Sequence, residues 1–478
     1  MSKYFKALLS SFPLILLFFY NCSGQGIEVV IKIRDATSPV AEISGRFTSP
    51  RADLHFSILR EFGGFSGLAD RVSDVSLESL DGQTVAFKQF VPGEYVAEKE
   101  FTAWRYRINL APAKRPTASG HTSWITSDTG LLFLRDLLPI LTKNSGGKIT
   151  LELPNGWSSS KEAGTFTVAD VDAATVLIGR NYRTLTATSG NVDIKIFTAG
   201  KWQFQDDQMA SFASEIVRSY SERIGPPALK RVEVVYIPFP QATSTGSWEG
   251  DTRGNTVAIV ASDMPFQTQS VQRLHEQLRH EIFHLWFPNG VKLSGNYDWF
   301  YEGFALYESL KLGVAVNRLR FEDFLDTLSR AITIDSMITQ RRSLIDSSNT
   351  RSGVADTTIY ARGMLAGLLT DLEQLKRSGG KGDVSSVLRT IYRKYQSGPA
   401  ADGNTAALDT INSQRVTQFV NGTGAINWAN ELSTAGIEVS SEPGLTRLTV
   451  SAKPSSSQRK LLDKLGYNNW RRSPSTPK

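Results

Sequence analysis

His280 and His284 stand four residues apart in the stretch RHEIFHLWF, with Glu281 beside the first of them. Imidazole nitrogens and carboxylate oxygens are donors suited to zinc and similar divalent ions. On an α-helix, positions i and i+4 share a face about 6 Å apart along the axis, so both rings can turn a nitrogen to one ion. Glu281 then projects next to the first ring, where it can hold a water beside the ion and take its proton. A catalytic zinc needs three protein ligands and one open position, so two histidines are not sufficient. Glu302, separated from His284 by seventeen residues, fits the vacancy. It stands among Phe300, Phe304 and Leu306 in YDWFYEGFALYESLKLG, read as a second helix ending at Gly313. An unpaired carboxylate in that setting would cost on the order of several kcal/mol, or shift its pKa strongly. A metal partner removes the difficulty, whereas two ordinary amphipathic helices would leave it standing.

The elements that must position these residues fall into two kinds. From Ile27 to about Arg180 the pattern has period two. IEVVIKIR puts Ile27, Val29, Ile31 and Ile33 on one face and Glu28, Lys32 and Arg34 on the other, and KITLELPNGW alternates similarly before a turn. His55 and His121 are isolated in this part and read as structural residues. Beyond it, DDQMASFASEIVRSYSERIG predicts an amphipathic helix and RVEVVYIPF a strand. STGSWEGDTRGNTVAIVA reads as a Gly-rich loop and an edge strand, and from Ser270 to about Leu375 nearly everything is helical. A further helical region runs to about Ile437. The expectation is an α+β multidomain chain with a β-rich, sandwich-like N-terminal domain over residues 25–190. A mainly helical domain follows over 191–437, then a short basic Pro/Ser-rich tail over 438–478, of the kind that is usually solvated.

The charge excludes one function class. The net charge is +6, yet the stretch from Lys453 onward, with seven Lys/Arg and one Asp, accounts for all of it. The first 452 residues are neutral as a whole, and no basic stripe interleaved with aromatics occurs, so a nucleic-acid partner is not expected. At the other end, Lys3 and Lys6 precede an apolar run from Ala7 to Tyr20 and then small residues. This reads as a secretory signal peptide over residues 1–24, too short for a membrane span, so the mature chain should have none and be secreted or periplasmic. Cys22, the only cysteine, leaves with that segment unless it serves as a lipoprotein anchor. The residues before it (Phe19, Tyr20 and Asn21) are poor matches to a lipidation site.

HEIFHLWF…WFYEGFALY resembles the gluzincins, zinc peptidases whose second helix supplies a glutamate. Within them the chain is most similar to the glycyl aminopeptidase family and more distantly to the aminopeptidase N family, over about residues 145 to 437. That stretch includes LELPNGW, SLIDSSNT, YARGMLAGLLTDLEQL and FVNGTGAINWANELSTAGIE. The resemblance implies a thermolysin-like catalytic domain and one zinc per chain, held by His280, His284 and Glu302, with Glu281 as general base. YARG resembles the family's Tyr-x-x-Gly, which implies that the Tyr360 hydroxyl stabilises the oxyanion. GSWE looks like the Gly-x-x-Glu loop that grips a substrate α-amine, which points to Glu249. The chain departs from the pattern in three places. The gap to Glu302 is one residue shorter than in the aminopeptidase N pattern, and Gly250 replaces a polar residue after Glu249. Only about forty residues follow Ile437, too few for the PDZ domain that glycyl aminopeptidases often carry. The expected activity is a secreted zinc aminopeptidase acting on peptides. An endopeptidase on the same scaffold and a catalytically idle peptide-binding module are the alternatives.

Overall fold

The computed structural model describes residues 26–468, apart from 36, 49–52, 142–144, 162–163, 352–353 and 443. The expected leader with Cys22 and the last ten residues of the basic tail lie outside the described residues.

The N-terminal part is built on a seven-stranded sheet. Strands β1 (Ile27–Ile33), β2 (Val40–Phe47), β3 (Ala103–Asn109) and β4 (Gly147–Glu152) lie at its centre in the order β4-β1-β2-β3. β1 pairs antiparallel with β2, Ile31 opposite Ile43, and parallel with β4. Ile27, Val29, Ile31 and Ile33 are buried in alternation, as the period-two pattern requires. They share one core with Phe56 and Tyr95 of a three-stranded sheet and with Leu132, Val176 and Ile178 of a four-stranded one.

The second part centres on a five-stranded sheet of β5 (Arg183–Ser189), β6 (Val192–Thr198), β7 (Arg231–Pro238), β8 (Trp248–Arg253) and β9 (Thr256–Ala261), in the order β5-β6-β7-β9-β8. β6, β7 and β9 are parallel, and β8 runs antiparallel along one edge. Parallel strands must be covered on both faces, and every residue of β9 is buried. The stretch read as a loop and an edge strand is therefore the β8–β9 hairpin. The polar GSWEGDTR segment takes the edge and apolar TVAIVA goes inside.

Two helices cover one face of this sheet, α1 (Asp206–Arg223) and α2 (Gln267–Phe283). Phe212, Ile216, Leu274, Leu278 and Ile282 pack there against Ile196, Val234 and Ile259. On the other face Val235, Ile237, Ala258 and Val260 meet Trp124, Leu131, Phe133 and Leu177 of the N-terminal part. That apolar seam places the N-terminal part beside β8 and the site it carries.

The helical region follows with α3 (Asp298–Ala315), α4 (Phe321–Met337) and α5 (Val354–Arg377). α3 is buried nearly all round, as a helix without a polar stripe must be. Its crossing with α5 depends on glycine. A Cβ on Gly303 would lie 2.2 Å from the Gly363 carbonyl carbon, and one on Gly363 would lie 2.6 Å from the Trp299 carbonyl oxygen. The two backbones touch, and no larger residue allows this.

The segment expected as a solvated basic tail is folded through Leu465. An antiparallel hairpin of Ile437–Glu442 and Leu445–Val450 lies on α4, where the Ser329 and Thr333 hydroxyls accept from the Leu448 and Thr446 amides at 3.0 and 2.9 Å. A helix, Ser456–Leu465, then buries Leu462 and Leu465. Composition hid these few apolar residues, which need no core of their own because they dock on an existing one. Among the described residues no helix is long and apolar enough to cross a membrane.

Candidate metal centre and active site

α2 carries two stripes. Leu274, Leu278 and Ile282 face the sheet at four-residue intervals, His280 and His284 turn toward Glu302 of α3, and Glu281 lies against the edge strand β8. The helix proper ends at Phe283, but His284 keeps helical torsions (φ −66°, ψ −11°), so the i, i+4 relation holds. Its Nδ1 lies 2.8 Å from the Phe287 carbonyl oxygen, to which it must donate. The bare lone pair is thereby left on Nε2.

Three atoms converge. The Nε2 atoms of His280 and His284 are 3.4 Å apart, and each is 3.6 Å from Glu302 Oε2. Ligands at about 2.0–2.1 Å from one tetrahedral ion stand roughly 3.4 Å from each other, so the triangle has the size zinc requires. All three residues are buried. Burial would raise the Glu302 carboxyl, but the facing His284 and His280 rings and the Arg351 guanidinium overcome it and hold it down at about 2. A donor set of two imidazole nitrogens and one ionised carboxylate fits a divalent cation.

Glu281 is held by the edge strand. Its Oε1 is 3.9 Å from His280 Nε2, and the Thr252 hydroxyl on β8 sits 2.9 Å from its Oε2 and 2.9 Å from its backbone oxygen. Gly250, also on β8, faces the same carboxylate, and a Cβ there would meet Oε1 at 2.3 Å. The glycine that departs from the family pattern is thus required by the approach of Glu281. Burial pushes the Glu281 carboxyl above the ordinary range, against the pull of His280 and His284. Two neighbouring carboxylates, Glu302 and Glu281, are therefore driven apart in proton affinity, as acid–base chemistry uses them.

Tyr360 and Arg351 complete this wall. Arg351 places Nη2 3.2 Å from Glu302 Oε1 and 3.1 Å from the Tyr360 hydroxyl, and its Nη1 3.1 Å from Asp298 Oδ1. Asp298 and Glu302 are one helical turn apart on α3 and face the same guanidinium. Glu308, the other acid of that helix, is fully buried against Arg223 at 3.0 Å and belongs to a separate ion-pair cluster with Lys311, Asp371 and Asp383.

These groups line a cleft of about 940 Å³ whose opposite side comes from the N-terminal part, through Phe62, Phe65, Arg115 and His121. Glu249 lies in the cleft, within β8 itself and not in a loop before a strand. His121, read from sequence as merely structural, reaches its carboxylate. Its Nε2 is 3.6 Å from Glu249 Oε2 and its Nδ1 3.4 Å from Asp251 Oδ2. Carboxylates on both ring nitrogens call for a proton on each. Burial opposes that charge, but Asp251 and Glu249 together push the ring up to about 9. The structure thus brings His280, Glu281, His284, Glu302, Tyr360 and Glu249 into one cleft. Sequence reasoning missed Thr252, Arg351 and the part of His121, since none of them has a motif and each acts across an interval of chain. The glycine of YARG, Gly363, was visible.

No protein-family model matches this sequence, and no curated protein is similar to it. Solved structures are. An aminopeptidase N family protein from Idiomarina loihiensis superposes with a TM-score of 0.74 at 14% identity, over 87% of this chain and 79% of that one. A mutant of the M1 zinc metallopeptidase from Deinococcus radiodurans gives 0.57 at 15% identity, over 84% of this chain and 95% of that one. The same mutant bound to a Tyr-Ser-Ala substrate gives 0.56 at 14% identity, over the same shares. With its β-rich N-terminal part and helical C-terminal part, this chain has the fold of these zinc metallopeptidases.

Proposed function

We propose that this protein is a zinc-dependent metallopeptidase, and within that class an aminopeptidase that removes N-terminal residues from peptides. The carrying observation is the triangle of His280 Nε2, His284 Nε2 and Glu302 Oε2, with sides of 3.4, 3.6 and 3.6 Å and Glu281 beside it. Zinc held there would polarise the scissile carbonyl and make water acidic enough to attack near neutral pH. Glu281, oriented by Thr252, accepts the proton of the attacking water and returns it to the leaving amine. Tyr360 donates to the oxyanion as it forms. Glu249 takes the free ammonium of the substrate and fixes the amino end in the cleft. All four residues of the metal centre and base are present, which supports an enzyme over an idle binding module. The YARG and GSWE motifs support the glycyl aminopeptidase family, and the Lys-flanked apolar run after Met1 supports export.

One observation favours the endopeptidase reading. Glu249 already has a cationic neighbour in His121, so its charge is partly met without a substrate amine. The experiment compares free and N-acetylated peptides with wild-type protein and Glu249→Ala. The aminopeptidase reading expects wild type to prefer free peptides and the variant to lose about 2–4 kcal/mol in kcat/KM on them alone. Equal wild-type rates on both peptides would decide for the endopeptidase.

A further inference from the structure

We infer that Arg351 is a positioning residue which holds Glu302 to one-oxygen coordination and turns the proton of the Tyr360 hydroxyl toward the substrate. This rests on the metallopeptidase reading and adds a residue that carries no motif.

Hydrogen-bond capacity fixes the direction of the contact between Arg351 and Tyr360. A guanidinium has five donors and no acceptor. Its contact with Tyr360 at 3.1 Å must therefore use the phenol oxygen as acceptor. The phenol has one proton, which this contact leaves free to donate elsewhere. Without Arg351 that proton could turn to the nearby Glu302 carboxylate, the group whose charge presses most on Tyr360 after its burial. The same Nη2 binds Glu302 Oε1 at 3.2 Å, while Oε2 faces both histidine nitrogens at 3.6 Å. One oxygen faces the two histidine nitrogens and the other is held by Arg351. Glu302 so held would supply one ligand atom to a zinc bound here and leave room for substrate or water beside it, as a catalytic site requires.

The guanidinium is itself fixed. Nη1 binds Asp298 Oδ1 at 3.1 Å, and Asp298 sits one turn before Glu302 on the same rigid helix. Asp298 in turn accepts a hydrogen bond from the Tyr301 side chain. Arg351 thereby ties α3 to α5 through their polar groups, at the end where Gly303 and Gly363 already bring the backbones together.

The test uses full-length protein with Arg351→Met, Arg351→Lys, Tyr360→Phe and the double variant Arg351→Met/Tyr360→Phe. Zinc affinity is read by chelator competition, kcat and KM on an aminoacyl substrate, and folding by thermal unfolding of the metal-free protein. Arg351→Met should weaken zinc binding about 10–100-fold, the usual effect of losing a partner that orients a metal ligand. It should also lower kcat more than it raises KM. Its kcat loss should shrink markedly once Tyr360 is already Phe, because the proton it directs is gone. Arg351→Lys, one nitrogen in place of the planar fork, should recover part of the zinc affinity and little of the Tyr360-dependent kcat. If wild type binds zinc and is active while Arg351→Met matches it in affinity and kcat, the inference is overturned and the metallopeptidase reading stands. An identical kcat loss in both Tyr360 backgrounds overturns it as well. If wild type itself binds no zinc, the reading beneath fails first.

Discussion

Gly250 on the edge strand and Glu281 on α2 pack so closely that a single methyl group at position 250 would lie 2.3 Å from the Glu281 carboxylate oxygen. Since β8 is anchored to β9 by its ladder, the carboxylate and not the strand must yield. Gly250→Ala should leave zinc content intact, because no ligand is displaced, yet lower kcat by about 10²-fold through a misplaced general base. Activity at the wild-type level would show that Glu281 works from another position.

The metal itself is checked by elemental analysis. About one zinc per chain is expected, removed by chelation together with activity. His280→Ala or His284→Ala should lower occupancy, and full zinc content in the double variant would end the metal-site proposal. Glu281→Gln separates base from ligand. It should keep zinc and lose activity by about 10²–10⁴-fold.

Gly363→Ala tests the helix crossing that joins Glu302 to Tyr360. In an exposed helix this change stabilises by up to about 1 kcal/mol. Here the new Cβ would sit 2.6 Å from the Trp299 carbonyl oxygen and 2.9 Å from Gly303 Cα, both backbone atoms that cannot move aside. The sign should reverse, to a loss of about 1–3 kcal/mol, read as a lower thermal midpoint. A higher midpoint would mean the helices part at little cost.

His121 predicts a pH dependence of stability. Its ordinary value of 6.5 is raised to about 9 in the fold, with Asp251 and Glu249 on its two nitrogens, Arg253 bonded to its carbonyl oxygen and Phe65 stacked on its ring. A raised value means that the folded state binds the proton more tightly than the unfolded chain. The contribution is therefore complete below about pH 6.5 and is lost as pH rises through about 9. Thermal midpoints of the wild type and His121→Gln should differ at pH 6 and converge by pH 10. A constant difference across that range would show that folding leaves the proton affinity of the ring unchanged.

The sequence by itself determined what is local. Period-two alternation settled the buried face of β1, because side-chain direction follows from the strand alone. The i, i+4 spacing of His280 and His284 settled that two rings share a face of α2, because helix geometry is independent of what the helix packs on. The apolar neighbourhood of Glu302 already required a partner for its charge. Only the tertiary structure decided what depends on distances across the chain. The reach of Arg351, in the connection between α4 and α5, to Asp298, Glu302 and Tyr360 has no periodic signature. The docking of Trp124 and Phe133 on the second face of the sheet, which carries His121 to Glu249, depends on a seam between two separate cores. Gly250 read as a departure from a pattern until the position of Glu281 gave its reason. The tail read as solvated because its composition is polar, and it folds because Leu448, Leu462 and Leu465 find a surface that the rest of the chain had to build first.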